Sequence, residues 1–328
     1  MNEPREQVPL GHIPVMAAEA IAALAPADGS VHVDMTYGDG GYTRRLLDTA
    51  GCVVWALDRD PAATARAELL AQSYPGRLHV VNTRFGDATT ALRTRGVELV
   101  NGIAMDLGLS SLQLGEAARG FSFQTDGPLD MRMGHDGPTA ADLVNSLAEA
   151  SLADALFQFG EERHARRIAR AIVEARSRRR IERTRDLAEV VARAAPAERR
   201  KHGTFIHPAT RTFQALRILV NDELGELQRG LLAAEELLAP DGRLAVIAFH
   251  SLEDRAVKQF FTERSGGEAN PSRHAPPAVR ANAPTFQLLH RGAQKPTDAE
   301  VADNPRARSA RMRAAIRTAA PPWSRIAA

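Results

Sequence analysis

The sequence predicts an α/β protein whose parallel sheet is interrupted by an inserted helical domain. Strand-like segments at 31–35, 53–57, 78–81 and 102–107 alternate with helix-like segments. This alternation is typical of a parallel sheet with helices on both faces. Strand-like sequence returns only at 243–249. The intervening residues therefore form an insertion into a single sheet.

Composition sets limits on the class of protein. A chain of 328 residues is long enough for about two domains. Its apolar fraction of 44% and net charge of +2 are ordinary, so any affinity for nucleic acid must come from local patches. Cys52 is the single cysteine, which excludes an internal disulfide. No apolar run reaches the length of a membrane span, and the first residues lack a signal-peptide core, so we expect a cytoplasmic protein.

The first strand runs into a glycine-rich turn at 36–42. Gly38, Gly40 and Gly41 let the backbone bend sharply and approach a ligand closely. Asp58 ends the second strand twenty residues after Gly38, where a carboxylate can accept hydrogen bonds from ribose hydroxyls. The pairing predicts a pocket for a nucleoside-containing cofactor, although a plain strand-to-helix turn is the simpler alternative.

The residues narrow the choice of cofactor. Thr43 stands where a dinucleotide fingerprint has its third glycine, and the lysine of a phosphate-binding loop is absent. Asp34 and Asp39 suit the cationic groups of S-adenosylmethionine better than a pyrophosphate. A nicotinamide oxidoreductase would use the same turn and Asp58, so that alternative stays open.

Polar groups also follow the fourth and fifth strands. Asp106 ends the fourth strand and is followed by Ser110 and Ser111, while His250 follows the fifth. We expect Asp106 close to the reacting centre, with the two serines and His250 as assisting groups. The alternatives are a turn-capping aspartate and a simple helix start at Ser251. No hydrolase triad can be assembled, and the histidines lack metal-ligand spacing, so no metal site is expected.

The inserted region reads as helical from about 139 to 200 and carries no strand signal. An apolar stripe at helical spacing runs through 162–177, and Thr184 is a suitable N-cap for the next helix. Residues 163–185 contain ten arginines and two acids, and a further basic cluster lies at 199–201. A phosphate backbone is the expected partner, with Arg178, Arg179 and Arg180 as contacts. The alternative for these arginines is a helix face that contacts only water. The alternative for the whole protein is a ribosome-binding factor that uses the arginine helices without catalysing a reaction.

The last third restarts the α/β pattern. A long helix at 221–238 precedes the strand at 243–249. Four prolines at 265–285 predict a mobile loop. Segments 286–290 and 309–318 supply the last two strands, and the alternating arginines of the second suggest an edge strand.

Four sequence blocks together resemble a known family. They are Gly-Phe-Ser-Phe-Gln-Thr-Asp-Gly-Pro-Leu-Asp-Met-Arg-Met at 120–133, the segments 207–218 and 249–255, and Asn-Pro-Arg-Ala-Arg-Ser at 304–309. In this order they are similar to the signature of the bacterial small-subunit rRNA cytosine-N4 methyltransferases. The similarity extends from about His12 to Arg317.

The resemblance implies a class I, Rossmann-like methyltransferase sheet with an all-helical insertion. We expect methyltransferase parts at 1–109 and 218–328 and an RNA-recognition domain at 110–217. S-adenosylmethionine is the implied donor, and a decoding-centre cytidine of 16S rRNA in the small ribosomal subunit is the implied acceptor. Whether the chain forms a homodimer stays open.

The resemblance also assigns residues. The donor contacts it implies are Gly40, Gly41, Tyr42, Asp58, Phe85, Asp106 and Gln113, to which the glycine turn adds Gly38. Arg211, in the block 207–218, joins the expected RNA contacts. Tyr42 stands where the family usually has histidine, and Leu112 where it usually has proline. The first change is neutral if Tyr42 contributes its backbone, and the second loosens the loop that presents Gln113.

Overall fold

The structure is a computed structural model that describes residues 14–195, 198–199, 205–267 and 282–323. The chain divides into two compact units. The first joins Met1–Gly108 to Glu226–Ala328, and the second is Leu109–Gly225. The boundary at which the chain returns to the first unit therefore lies between Gly225 and Glu226, inside a helix, whereas the sequence suggested a boundary between residues 217 and 218. No helix of the described residues is long and apolar enough to cross a membrane.

A seven-stranded sheet forms the centre of the first unit. Its order is β3-β2-β1-β4-β7-β9-β8. The first five pair in parallel, and β9 runs antiparallel to both of its neighbours. This sheet confirms the predicted α/β class. Its strands, numbered along the whole chain, are β1 Val31–Asp34, β2 Val53–Asp58, β3 Leu78–Asn82, β4 Val100–Asp106, β7 Leu238–Ala248, β8 Phe286–Leu288 and β9 Arg311–Arg317.

Helices pack on the sheet and bury its apolar side chains in two clusters. One cluster contains Leu46 and Val54, and the other contains Leu57 and Ile103. The local sequence explains where helices begin; for example, the Asp60 carboxylate accepts the Ala62 N–H at 3.0 Å, directly before a proline in the first turn. The helices are α1 Ala17–Leu24, α2 Gly41–Thr49, α3 Pro61–Ala71, α4 Ala88–Arg93, α11 Glu223–Leu237, α12 Ser251–Arg264 and α13 Asp298–Asp303.

The prediction of an edge strand at 309–318 is wrong. Strand β9 lies between β7 and β8, and β8 is the edge. Arg313, one of the alternating arginines that suggested an edge strand, has its partner inside the unit, as does Arg317 at the end of β9. Arg313 binds both carboxylate oxygens of Asp254, at 2.7 and 3.1 Å, and the buried Arg317 donates to the carbonyls of Glu235 and Thr285, both at 3.0 Å. The arginines of β9 named here therefore bind protein groups and do not indicate a strand edge that faces water.

The second unit is mainly helical and has its own apolar core, which includes Leu156, Ile168 and Leu216. It contains a small antiparallel pair of strands, which the sequence analysis did not expect. Its elements are α5 Ser111–Gly115, α6 Ala140–Ser146, α7 Glu149–Gly160, α8 Ala165–Arg178, α9 Thr184–Ala194, β5 Glu198–Arg199, β6 Phe205–Ile206 and α10 Ala209–Asn221.

The predicted N-cap at Thr184 is also wrong. Thr184 is the first residue of α9, and Arg183 occupies the cap position without a side-chain cap bond. The buried Thr184 hydroxyl instead accepts the Gly127 N–H at 3.1 Å. It therefore fixes the irregular segment before α6. Most of the predicted mobile loop at 265–285 lies outside the described residues, as do the side chains of the basic cluster at 199–201.

Candidate functional site

The glycine turn joins β1 to α2 in a conformation that requires glycine at two positions. Gly38 and Gly40 have φ angles of 53° and 76°. A Cβ atom on Gly40 would lie 2.7 Å from Cζ of Tyr37, and one on Gly41 would lie 2.7 Å from Cβ of Pro14. Side chains at these places would collide with fixed neighbours. The backbone is therefore the surface that this turn can offer to a ligand.

Asp34, buried at the end of β1, fastens both ends of the turn. Its carboxylate accepts the Thr36 N–H at 3.2 Å and the Thr43 hydroxyl at 2.7 Å. Burial raises the pKa of this carboxyl group. Thr43, the residue that replaces the third glycine of a dinucleotide fingerprint, thus has a structural use in holding α2 to β1.

Asp58 lies beside the turn because β1 and β2 are parallel neighbours. Its carboxylate accepts the Gly38 N–H and the Asp60 N–H, both at 2.8 Å. The residue as a whole is half-buried, but protein atoms enclose its carboxyl group, and this burial raises its pKa to about 6. The structure thus brings together the turn and the acid that the sequence paired, and contact with ribose hydroxyls stays a prediction for this carboxylate.

Asp106 ends β4, on the other side of β1. Its backbone N–H donates to the Thr36 hydroxyl at 2.7 Å, so the strand end is tied to the turn. Its buried Oδ1 atom has no hydrogen-bond partner among the described residues. Burial raises its pKa well above the usual range, and the nearby charges of Asp34 and Glu253 raise it further. An unsatisfied acceptor among buried acids fits a cationic ligand.

Tyr42 uses its side chain inside the protein. The ring is buried in the core of the first unit, and the hydroxyl donates to the carbonyl of Val15. Burial is the main reason that the pKa of this phenol lies well above its ordinary value, and the negative charges of Asp106 and other nearby acids raise the pKa further. What Tyr42 can present at the turn is therefore its backbone.

The remaining predicted donor contacts lie on different elements. Phe85 begins a short 3₁₀ helix after β3, and its half-buried ring lies against Gly230 of α11, where a Cβ atom would be 2.7 Å from Cε2. Gln113 belongs to the second unit. It forms a reciprocal capping box with Ser110 at the start of α5, with both hydrogen bonds at 3.2 Å. Ser111 is the first residue of that helix, and Leu112 is exposed.

His250 stands at the end of β7 and is the N-cap of α12, so the helix-start interpretation also describes it. Its Nδ1 accepts the Glu253 N–H at 3.4 Å. Its buried Nε2 lies 3.1 Å from Oε1 of Glu253, without hydrogen-bonding geometry. The other Glu253 oxygen accepts the N–H groups of Phe249 and His250, at 2.8 and 3.2 Å. Glu253 thus orders the loop that carries His250.

The predicted RNA-binding arginines differ in their surroundings. Arg179 lies 3.7 Å from Asp186, and Arg180 lies 2.8 Å from Asp142, so both have acidic neighbours. Arg178, at the end of α8, is exposed and has no ion pair within the described residues. Arg211 lies in the first turn of α10. Three further exposed arginines near the start of α8 also lack an ion pair in the described part of the chain: Arg163, Arg166 and Arg167.

Sequence reasoning missed three residues that shape the site. Thr36 anchors Asp106, and Glu253 orders the β7–α12 loop. Arg66 of α3 donates to the Gly38 carbonyl at 3.2 Å and lies 3.4 Å from Asp39. Thr36 could have been singled out as the hydroxyl residue of the turn. Arg66 carries no such signal, because only the packing of α3 brings it to the turn.

The sheet, the glycine turn and the strand-end acids define a Rossmann-like protein with a site for a nucleoside-containing ligand. The chain belongs to the MraW methylase family, whose profile matches residues 9–318. This confirms the predicted family and the methyltransferase class, for which S-adenosylmethionine is the expected donor.

Curated relatives match nearly the full length. The chain is 56% identical over 319 residues to the "Ribosomal RNA small subunit methyltransferase H" of Paramagnetospirillum magneticum, covering 97% of this chain and 99% of the relative. It is 58% identical over 310 residues to the protein of that name from Rhodospirillum centenum, covering 94% and 93%. Among solved structures, an rRNA methylase from Streptococcus thermophilus is similar with a TM-score of 0.42 and 9% identity, covering 94% of this chain and 99% of that one.

Proposed function

We propose that this protein transfers a methyl group from S-adenosylmethionine to the N4 amino group of a decoding-centre cytidine in 16S rRNA. Family membership and the names of the relatives support the reaction and the substrate. The structural observation that carries the proposal is the glycine turn with Asp58 on one side and the unsatisfied Asp106 on the other. With 16S rRNA of the small ribosomal subunit as the substrate, the cytoplasm is the expected compartment of the protein.

The residues of the first unit suit the donor. Gly38, Gly40 and Gly41 offer backbone, and Asp58 offers an acceptor for the ribose hydroxyls. Buried acids at Asp34 and Asp106 repel one another, so a cationic sulfonium and ammonium relieve that repulsion. Phe85 and the backbone of Tyr42 complete the set proposed for this unit. The bound donor supplies an activated methyl group that leaves a neutral thioether behind.

Catalysis then depends mainly on alignment, because the leaving group needs little acid assistance. The difficulty is the acceptor, since the N4 lone pair of cytosine is delocalised into the ring. A hydrogen-bond acceptor on the amino protons makes this nitrogen more pyramidal and exposes its lone pair. We assign this acceptor role to Oδ1 of Asp106, which has no hydrogen-bond partner among the described residues, with His250 as an assisting group. The proton that N4 loses on methylation passes to this carboxylate or to solvent.

Two variants test these assignments. Asp106→Ala and His250→Ala are each compared with wild type for donor binding, by calorimetry, and for turnover, by single-turnover methylation. Asp106→Ala is expected to lose turnover more strongly than donor affinity, and His250→Ala to lose turnover while binding the donor normally. Normal methylation by both variants would remove these side chains from the mechanism.

The second unit is proposed to hold the RNA on either side of an extruded cytidine. The exposed Arg178, Arg179 and Arg180 and the half-buried Arg211 are the first candidates. The structure adds the region around the turn between α7 and α8. There Arg163 and Arg166 have no ion pair within the described residues, and the Phe157 ring on α7 is 65% exposed. Exposed cations and an exposed aromatic ring on this helix pair suit phosphates and a stacked base.

Salt dependence tests this RNA surface. Charge reversal of Arg178, Arg179 and Arg180 together should weaken binding to the small subunit and reduce the slope of log K against log salt by about one per lost phosphate contact. Arg95→Glu, at an exposed arginine of the first unit, is the matched control. An unchanged slope in the triple variant would count against this placement.

The reaction itself is tested with unmodified small ribosomal subunits and labelled S-adenosylmethionine. We expect one labelled cytidine of 16S rRNA in the decoding centre, with the methyl group on N4. Label on another atom, or in protein only, would contradict the proposal.

A further inference from the structure

We infer that Tyr42 and Glu300 are positioning residues for the methyl donor, because they hold residues 14–16 against the glycine turn. This inference rests on the proposed function, since it concerns the same donor site. It assigns a purpose to the Tyr42 side chain, whose hydroxyl is turned to the protein and not to a ligand.

Three contacts hold the segment, two with α2 and one with α13. The Tyr42 hydroxyl, from α2, donates to the carbonyl of Val15. The Met16 N–H donates to Oε1 of Glu300, from α13, at 2.6 Å. Pro14 fills the space beside Gly41, so closely that a Cβ atom on that glycine would lie 2.7 and 2.8 Å from two carbons of its ring. Residues 14–16 therefore pack directly against Gly41, the first residue of α2.

Burial and backbone conformation show that this arrangement is specified. Val15 and Met16 are each 1% exposed. Met16 has a φ angle of 51°, in the left-handed region that residues other than glycine seldom adopt. Such a conformation persists only where the surrounding contacts over-determine it. The bonds from Tyr42 and Glu300, on either side of the Val15–Met16 peptide, are the contacts that do so.

The expected consequence is specific to donor binding. Without either bond, the segment relaxes and Pro14 no longer supports Gly41, so the turn must be ordered when the donor binds. Ordering on binding lowers affinity without changing the chemistry of the bound state. The KM for S-adenosylmethionine should therefore rise while kcat stays near the wild-type value.

The test compares Tyr42→Phe and Glu300→Ala with Glu300→Gln, which keeps an acceptor for the Met16 N–H. Tyr74→Phe is the control, because it removes a hydroxyl bonded to Asp48 at 2.7 Å elsewhere in the same unit. Calorimetry with S-adenosylhomocysteine should show affinity about threefold to tenfold weaker for the first two variants, the effect of one lost hydrogen bond. Glu300→Gln and Tyr74→Phe should bind as wild type does.

Amide exchange gives a second readout. Without ligand, the Met16 amide should exchange faster in Tyr42→Phe and in Glu300→Ala than in the wild type, because the segment is no longer held in place. If Tyr42→Phe fails to fold, the two Glu300 variants still decide the matter. Wild-type affinity and exchange in folded Tyr42→Phe and Glu300→Ala would overturn the inference and leave the proposed function intact. Failure of the wild type to bind the nucleoside would contradict the proposed function instead.

Discussion

Lowering the pH should weaken donor binding through one carboxyl group, that of Asp58. Burial raises its pKa from 3.8 to about 6 in the unliganded protein. The ionised form is the stronger acceptor for ribose hydroxyls, since hydrogen bonds to a charged acceptor are roughly twice as strong as neutral ones. Protonation at about pH 5 should therefore remove part of the binding energy that is present at about pH 7.

The size of the effect follows from the pKa. With a pKa of about 6 in the free protein and a lower one in the complex, affinity should fall about tenfold between pH 7 and pH 5.

The raised pKa of Asp58 has the opposite effect on folding stability. Because the folded state holds the proton more tightly than the unfolded state, this group's unfavourable contribution is absent below about pH 3.8 and complete above about pH 6, where it costs about 3 kcal/mol.

Calorimetric titration with S-adenosylhomocysteine from pH 5 to pH 7 measures the dependence. Asp58→Asn should bind about tenfold or more weakly at pH 7 and lose most of the slope, because its acceptor does not titrate. Titration of Asp34 and Asp106 changes donor affinity equally in wild type and in Asp58→Asn. The difference between the two slopes therefore reports Asp58 alone. Asp48→Asn, at an exposed carboxylate, is the control. Equal slopes for wild type and Asp58→Asn would refute the reasoning.

Three further predictions concern stability, measured by urea denaturation. Gly102→Ala should destabilise the protein by about 1–3 kcal/mol, because its Cβ atom would lie 2.6 Å from Cε1 of the buried His32 ring. Burial lowers the pKa of His32 from 6.5 to about 4, so the unfolded chain binds this proton more tightly and the His32 contribution to stability should fall by up to about 3 kcal/mol as the pH drops from 6.5 to about 4. Because Asp58 titrates in the opposite sense over much of this range, the effect is read from the difference in stability between wild type and His32→Leu, which should change by that amount with pH. Glu235→Gln should lower the free energy of unfolding by about 3 kcal/mol, because Glu235 is fully buried against Arg264. Glu263, which contacts the same arginine, is 44% exposed, so Glu263→Gln should change stability by less than about 1 kcal/mol.

The sheet could be predicted because its strands are short apolar segments that alternate with helices. The error at β9 arose because a charged side chain in the sequence does not reveal whether its partner is water or protein. Arg313 and Arg317 bind groups on α12, on α11 and before β8, which only the fold brings near. The strand pair β5–β6 was missed because each strand has two residues, too few for any periodicity.

The candidate site was predictable where its geometry is local. The turn and Asp58 follow from glycine spacing and from the fact that parallel strands end at one edge. The raised pKa of Asp106 was not predictable, because it depends on burial and on the acids that approach it from other elements. The side-chain direction of Tyr42 was equally hidden, since its partner, the Val15 carbonyl, lies 27 residues away along the chain.

The central claim is that the glycine turn and Asp58 hold the adenosyl group of a methyl donor. A crystal structure with S-adenosylhomocysteine tests it most directly. We expect ribose hydroxyls within hydrogen-bonding distance of the Asp58 carboxylate, the nucleoside against residues 38–41 and the sulfur directed toward Asp106. Density for the nucleoside at any other place on the molecule would contradict it.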